Sequence, residues 1–280
     1  MDLSTVKFVA DSSCDVQEFA GVSFAAAPVK VITESREYAD NRPETVAAMV
    51  EDIYGSKGRS STSCPNEADW LTAFGDAETV FCATVTSALS GAYNSACMAK
   101  NTYEAEHPGR RVHVIDSLSI GAEVVLILEK VRECIEAGME YDEVCAAIAQ
   151  YQKKTGLLFL LESMKNLANN GRVSHLAAKA AGLLGIRVLG RASEEGTIEP
   201  IDKCRGEEKA RTAIVRHLKE LGYRGSKLLI MHCLNEEGAN KLAERIRTEF
   251  RQAAIRIYPC STPCSYYAER GGMIIGYESV

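Results

Sequence analysis

The stretch DAETVFCATVTS at residues 76–87, followed by SGAYNSACMAKNTYEAEHP at residues 90–108, decides how the chain folds. Its first part carries an apolar run that is typical of a buried strand, and its second part predicts a helix that stops before Pro108. The junction between them carries the hydroxyls of Thr84, Thr86, Ser87 and Ser90. The stretch therefore predicts a strand, a polar loop and a helix, for which Ser90 is a candidate N-cap.

The same order recurs on both sides of this stretch. TVKFVADSS at 5–13 and RRVHVIDSLSIGA at 110–122 each predict a strand that ends in a hydroxyl-rich loop, and helical patterns follow at 43–56 and 122–138. Repeated strand–loop–helix order indicates a parallel sheet covered by helices. Each loop alone is more typical of a turn, but three loops at the carboxyl edge of one sheet favour a ligand site.

The pattern changes after about residue 155. Strands and helices still alternate, but SEEGTIEPIDKCRG at 193–206 predicts an antiparallel hairpin with Glu195-Gly196 at its turn. We therefore predict an α/β protein with a Rossmann-like parallel-sheet domain over 1–155 and a smaller α/β (α+β) domain over 156–280. Because no linker separates them, we expect the two domains to pack closely around a ligand cleft.

Composition excludes several classes of protein. The 280 residues are 46% hydrophobic and carry a formal net charge of −6, which argues against a nucleic-acid partner. The N-terminus lacks a signal-peptide pattern, and the apolar runs are too short or too charged for stable membrane insertion, so we expect a soluble, cytoplasmic protein. The ten cysteines show no zinc-ligand spacing, and neither a metal nor a cofactor is expected.

Six motifs occur along the chain in one order, and together they carry a resemblance over essentially its whole length. They are FVADSSCD (8–15), TSCPN (62–66), TSALSGAYNSA (86–96), VIDSLSIGA (114–122), NGRVSHLAAKAAGLLGIRVLG (170–190) and CRGEEKA (204–210). Their content and spacing resemble the DegV family of bacterial fatty-acid-binding proteins. The resemblance implies one long-chain fatty acid, such as palmitate, between two domains. It also implies a non-catalytic, acyl-carrying subunit of a fatty-acid kinase, whose separate partner supplies ATP and phosphotransfer.

The resemblance assigns the head of the ligand to hydroxyl side chains. It implies that Thr62 and Ser90 hold the carboxylate. Ser63, Thr86 and Ser87 are candidates for supporting this site, or else form hydrogen bonds only with nearby backbone groups. A buried carboxylate needs such fixed donors, because leaving it unpaired costs several kcal/mol. Hydroxyls at a helix start hold an anion without a lysine, which would leave the head open to a phosphoryl donor.

Three charged residues are assigned to the head of the ligand or to a partner protein. Arg172 matches the basic residue of the family's Gly-Gly-Arg-Ile-Ser turn, with an arginine that caps a local carbonyl as the alternative. Glu269 and Arg270 stand where the family usually carries a His-x-Gly-Pro-Gly stretch. A carboxylate at position 269 would repel an acyl carboxylate unless Arg270 or a proton compensates. This departure leaves open whether phosphotransfer is supported.

The acyl tail needs an apolar tunnel. GLLFLL (156–161) and AAGLLGIRVL (180–189) supply aliphatic surface for it, and most of that surface is also typical of ordinary core. We expect the tail to be lined by a few of five candidates, namely Leu158, Leu160, Leu183, Leu184 and Ile186.

Other functions stay open as alternatives. A lipid-responsive regulator or carrier without a kinase partner fits the same residues. A stand-alone serine hydrolase is less favoured, because the chain has no Gly-x-Ser-x-Gly motif and only His175 is available as a base within a family motif. A nucleotide-binding enzyme is also less favoured, because the chain has no glycine-rich phosphate loop. Asp11 and Asp116 are interpreted as turn-fixing residues rather than as a catalytic pair.

Overall fold

The structure is a computed structural model that describes residues 1–55, 58–176, 178 and 185–279. Its strands, in chain order, are β1 (Val6–Asp11), β2 (Ser23–Ala27), β3 (Lys30–Ile32), β4 (Glu37–Tyr38), β5 (Ser61–Ser63), β6 (Thr79–Thr84), β7 (Arg111–Asp116), β8 (Thr155–Leu161), β9 (Ile186–Ala192), β10 (Ile198–Arg205), β11 (Tyr223–His232), β12 (Ala254–Pro259) and β13 (Met273–Ser279).

The helices of the described residues alternate with these strands. They are α1 (Pro43–Gly55), α2 (Glu67–Phe74), α3 (Ala92–Glu106), α4 (Ala122–Glu136), α5 (Tyr141–Tyr151), α6 (Lys165–Asn169), α7 (Glu207–Glu220), α8 (Glu236–Glu249) and α9 (Thr262–Ala268). Short 3-10 turns occupy Leu3–Thr5, Ser12–Cys14 and Gln152–Lys154. The α/β fold class predicted from the sequence is confirmed.

The first sheet is parallel, with the strand order β2-β1-β6-β7. Strands β1, β6 and β7 are those predicted from the repeated strand–loop–helix pattern, and β6 lies between the other two. Their central residues, such as Phe8 and Phe81, are fully buried, as the apolar runs require. The carboxyl ends of the three strands therefore lie side by side, and their polar loops share one edge.

A small antiparallel sheet, β4-β3-β5, adds an element that the sequence did not predict. Strand β5 carries Thr62, which pairs with Val31 of β3. Strands of two or three residues are too short to show an alternating pattern, so they escape detection by periodicity. The fixed pairing places Thr62 on ordered backbone rather than on a free loop.

The second sheet has six strands in the order β10-β9-β8-β13-β11-β12, and only β11 and β12 run parallel. The hairpin predicted around Glu195-Gly196 is present as the antiparallel pair β9 and β10. Strand β13, from the end of the chain, lies between β8 and β11. This sheet is therefore assembled from distant segments.

Helix α4 joins the two halves of the molecule. Eleven of its fifteen residues are buried, and it packs against β6 of the parallel sheet and against β8, β11 and β13 of the mixed sheet. One hydrophobic core accordingly includes Phe81 from the first sheet together with Leu161 and Leu229 from the second. The division into domains at residue 155 stays a prediction, and the two halves share this core.

Candidate functional site

The loops at the carboxyl edge of the parallel sheet are fixed by two aspartates. Asp11 is buried, and its carboxylate accepts hydrogen bonds from the backbone N–H of Ser13 at 3.1 Å and of Val85 at 2.6 Å. Asp116 accepts from the N–H groups of Ser87 at 3.0 Å and of Leu118 at 3.2 Å. The interpretation of both residues as turn-fixing is confirmed.

These loops border a cavity of about 390 Å³ that lies between the two sheets. This volume falls within the range of about 300–1,000 Å³ that is typical of small-molecule sites. Most of its lining is apolar and comes from both halves of the chain, including Val29, Val85, Leu89, Ile120, Leu157, Phe159, Leu161, Leu167, Ile198 and Ile274. The predicted cleft is therefore present as a largely apolar cavity.

One end of the cavity is polar. Thr62, Ser90 and Arg172 all line it, and the Thr62 hydroxyl forms a hydrogen bond of 2.7 Å with the hydroxyl of Tyr267 from α9. The Ser90 hydroxyl oxygen accepts from the N–H of Ala92 at 3.2 Å, and its proton is free to point at a ligand. Helix α3 begins with Gly91 as its N-cap, so the expectation that Ser90 is the N-cap is wrong by one residue.

Arg172 supplies the positive charge at this end. Its side chain donates from Nε to the carbonyl oxygen of Leu89 at 3.2 Å and from Nη1 to that of Asn170. Burial raises the pKa of Tyr267, and the neighbouring Arg172 opposes this rise without cancelling it. The Tyr267 hydroxyl therefore keeps its proton at neutral pH and can act as a donor beside the cation.

The polar end reaches the surface of the molecule. Ser63, Cys64 and Gly91 line the cavity there, and all three are exposed. Deeper parts of the wall, by contrast, are formed by buried side chains such as Val85 and Leu157. A ligand held here would present its polar head near solvent and its apolar part to the interior.

The supporting hydroxyls separate into two groups. Ser63 lines the polar end, and Thr86 is buried in the cavity wall, where its oxygen accepts from the N–H of Ala88 at 3.2 Å. Ser87 is exposed and is not among the described residues that line the cavity. The expectation that Ser87 supports the head is therefore not met, because its backbone is bound to Asp116 with the side chain outside.

Glu269 and Arg270 do not line the cavity as described. The Glu269 carboxylate accepts from the hydroxyl of Ser163 at 3.0 Å and from the N–H of Asn166 at 3.1 Å, and burial raises its pKa. Arg270 is exposed and pairs with Glu51. The Glu269 carboxylate binds the start of α6, so it does not face the cavity in which an acyl head would have to be repelled.

The predicted tail residues lie on the wrong face of β8. Leu158 and Leu160 pack into a second core beneath the six-stranded sheet, whereas Leu157, Phe159 and Leu161 face the cavity. Side chains of a strand alternate between faces, so a shift of one residue exchanges the two sets. The expectation for Leu158 and Leu160 is therefore wrong.

The other tail candidates have different outcomes. Ile186 is half-buried at the start of β9 and is not among the described residues that line the cavity. Leu183 and Leu184 lie outside the described residues. Tyr267 was missed, because nothing in its local sequence indicates that α9 reaches across to Thr62.

The turn of the β9–β10 hairpin forms one wall of the cavity. Gly196 has a φ of +74°, and a Cβ added there would lie 2.1 Å from Oγ1 of Thr86 and 3.0 Å from Cα of Leu118. The hairpin of the second half therefore contacts two of the hydroxyl-rich loops of the first half through a residue that has no side chain. Thr197 and Ile198 continue the wall.

Replacing Gly196 by alanine is expected to lower the free energy of unfolding by about 2 kcal/mol. The left-handed conformation alone costs an alanine about 1–2 kcal/mol, and the overlap with Thr86 adds to this cost. Gly138→Ala is the matched control, because Gly138 has a φ of +81° and open space around its Cβ position. Urea denaturation of both variants measures the difference, and equal losses would show that the hairpin does not press on Thr86.

Comparison with known proteins defines the class of this fold and its cavity. The chain matches the family model described as "Uncharacterised protein, DegV family" over residues 5–279. It is 41% identical to a DegV domain-containing protein of Streptococcus pneumoniae, over 98% of this chain and 99% of that protein. The chain belongs to the DegV family.

Two solved structures share the architecture closely. A DegV family protein from Eubacterium eligens, loaded with heptadecanoic acid, matches with a TM-score of 0.96 and 42% identity over 98% of this chain and 100% of that chain. The Streptococcus pneumoniae fatty acid kinase (Fak) B3 protein, loaded with linoleic acid, matches with a TM-score of 0.95 and 41% identity over 98% and 99%. The predicted resemblance to the DegV family is confirmed, and this chain has a fatty-acid-binding DegV fold.

The described residues lack two further features. No helix in the described part of the chain is both long and apolar enough to cross a bilayer. Over the same residues, no three His, Cys, Asp or Glu side chains are grouped as a metal ion would require.

Proposed function

We propose that this protein binds one long-chain fatty acid, with its carboxylate at Thr62 and Ser90 and its tail in the cavity. The observation that carries the proposal is the cavity itself, which is lined mostly by apolar side chains and has Thr62, Ser90 and Arg172 close together at one end. The fatty acids bound by the two similar structures support the same ligand class.

The chemistry of this end suits a carboxylate. The hydroxyls of Thr62 and Tyr267 share one hydrogen bond, which leaves one of the two protons for a ligand oxygen, and the Ser90 proton supplies a second donor. The fixed charge of Arg172 offsets part of the cost of removing a carboxylate from water. Two donors and a cation at one end of an apolar cavity match an acid with a long hydrocarbon chain.

The tail supplies most of the binding free energy. Each buried methylene contributes about 0.8 kcal/mol, so a sixteen-carbon chain such as palmitate gains of order 10 kcal/mol before costs. Association and ordering reduce this gain substantially. The balance favours tight but reversible binding, as a carrier requires.

The similarity to the Fak B3 protein supports a role as the non-catalytic, acyl-carrying subunit of a fatty-acid kinase. The exposure of Ser63 and Cys64 at the polar end fits this role, because a separate kinase could reach the carboxylate there without entering the cavity. In this function the chain holds the acid, and the partner supplies ATP and the phosphoryl group.

Extraction of the purified protein with organic solvent, followed by mass spectrometry, tests the binding function. We expect a long-chain fatty acid in the extract, and we expect delipidated protein to take up palmitate. A protein that is empty after purification and also refuses added palmitate contradicts the proposal. Turnover of an ester by the purified chain would favour a serine hydrolase instead.

The kinase role needs a separate measurement. Palmitate-loaded protein, mixed with a purified fatty-acid kinase catalytic subunit and ATP, is expected to yield acyl phosphate. Protein that binds palmitate but supports no acyl phosphate with any such subunit would leave a lipid carrier or regulator as its function.

A further inference from the structure

An aromatic ring lies directly over a glycine in the floor of the cavity. Phe159 of β8 and Gly190 of β9 are cross-strand partners, and a Cβ added at Gly190 would lie 2.1 Å from Cζ and 2.4 Å from Cε2 of the Phe159 ring. The ring therefore occupies the space where any other residue would place its side chain. It lines the cavity and is 93% buried, with 7% of its surface exposed.

The opposite face of the same sheet carries a matching pair. Tyr277 of β13 is the cross-strand partner of Gly156, where a Cβ would lie 2.4 Å from Oη and 2.6 Å from Cζ of the tyrosine ring. Tyr277 packs with Leu158 in the core on the side away from the cavity. The sheet thus seats one aromatic ring on glycine at each face, and only the Phe159 ring borders the cavity.

Phe159 stands midway along the cavity wall of β8. At one end of this wall, Leu161 leads to α6, whose Leu167 also lines the cavity. At the other end is Leu157, which is four residues before Leu161 and about 13 Å from it at the usual rise of a strand. A chain that extends along this wall of the cavity contacts the Phe159 ring. The height of this ring above the sheet therefore limits the width of the passage that it leaves for the chain at this point.

We propose that the Gly190–Phe159 pair determines which fatty acyl chains the cavity admits. With no side chain at position 190, the ring lies low on the sheet and leaves room for a long chain. A methyl group at this position lifts the ring into the passage, so long chains are obstructed while chains that end before Phe159 are not. This inference rests on the proposed function of fatty-acid binding.

The test compares Gly190→Ala with the wild type for palmitate and octanoate, by competition against a fluorescent fatty acid. For Gly190→Ala, the Kd of palmitate is expected to rise about tenfold, which corresponds to about 1.4 kcal/mol. The Kd of octanoate is expected to stay within about twofold, because the shorter chain does not reach the ring. An equal change for both acids, or none, overturns the inference.

Gly156→Ala is the matched control, because it crowds an aromatic ring on the same sheet without touching the cavity. It is expected to leave both affinities unchanged. Adding Phe159→Leu to Gly190→Ala is expected to restore palmitate binding, since the smaller side chain removes the obstruction. A double variant that stays weak for palmitate contradicts the mechanism.

A fourth variant avoids the dependence on Gly190→Ala, whose Cβ would also lie 2.8 Å from the carbonyl oxygen of Glu199. Phe159→Leu alone is expected to favour 10-methylstearate over stearate by about tenfold more than the wild type does, because it opens room for the branch. An unchanged preference overturns the inference. A wild-type protein that binds no fatty acid at all refutes the proposed function itself, which is a separate outcome.

Discussion

Replacing Thr62 and Ser90 together by alanine is expected to raise the Kd for palmitate by about 10²-fold. A hydrogen bond to a charged group contributes about 1.5–3 kcal/mol, and the double variant removes two donors from the polar end of the cavity. Arg172 and the tail contacts remain, so binding weakens without being abolished. Titration of delipidated protein with palmitate measures the effect.

Two controls separate the loss of donors from general damage. Ser87→Ala removes a hydroxyl from the same loop, but this side chain is exposed and outside the cavity, so palmitate binding is expected to stay unchanged. Thr62→Ser keeps a hydroxyl beside Tyr267 and is expected to retain most of the affinity. If the double variant binds palmitate as tightly as Ser87→Ala does, the carboxylate is held elsewhere.

A second large effect is expected from Asp15, whose carboxylate is enclosed between the halves of the molecule. It accepts a hydrogen bond of 2.8 Å from the N–H of Ser261, which precedes α9, and another from the Ser261 hydroxyl, while Oδ2 is shielded and has no hydrogen-bond partner among the described residues. Burial raises the pKa of Asp15 from 3.8 to about 6, although the bonds from Ser261 oppose it.

The direction of the pH effect follows from this rise. Between pH 3.8 and about 6 the unfolded chain loses the Asp15 proton while the folded chain keeps it, so stability falls as pH rises and levels off above pH 6. This shift in the pKa of Asp15 corresponds to a change of about 3 kcal/mol in the free energy of unfolding. Asp15→Asn keeps an acceptor for Ser261, and its stability relative to the wild type is expected to increase across this window in urea denaturation.

Glu123 provides a comparison with a different window. It is buried on α4, accepts from the hydroxyl of Thr155 at 2.6 Å, and burial raises its pKa from 4.5 to about 7. The gain in stability of Glu123→Gln over the wild type is therefore expected to grow between pH 4.5 and about 7, whereas that of Asp15→Asn stops growing at about pH 6. A flat difference curve for Asp15→Asn would mean that its carboxylate is solvated.

The sequence predicts those parts of the site that depend on local sequence patterns, namely apolar strands and short motifs. The loops after β1, β6 and β7 follow strands whose apolar runs are unambiguous, and a parallel sheet necessarily aligns their ends. Thr62, Ser90 and Arg172 were assigned through family motifs, and the structure brings all three to one end of the cavity.

The parts that failed depend on long-range packing. An entirely apolar strand such as β8 gives no alternation, so sequence does not reveal that Leu157 rather than Leu158 faces the cavity. Tyr267 reaches Thr62 from a helix that is 205 residues away in sequence. The contacts of Glu269 were not predicted, because its partners Ser163 and Asn166 lie 106 and 103 residues away in sequence and leave no local signature.

The position of α4 limits how a lipid enters and leaves. Drawing the two sheets apart would expose apolar side chains along both sides of this helix, such as Leu126 and Ile127, and each would lose about 1.5–3 kcal/mol of transfer free energy. Separation of the two sheets therefore costs too much free energy to serve for routine exchange of a bound ligand. For the proposed fatty acid, exchange is therefore expected to need only small displacements of the β9–β10 turn or of the exposed residues Ser63 and Cys64, with α4 in place.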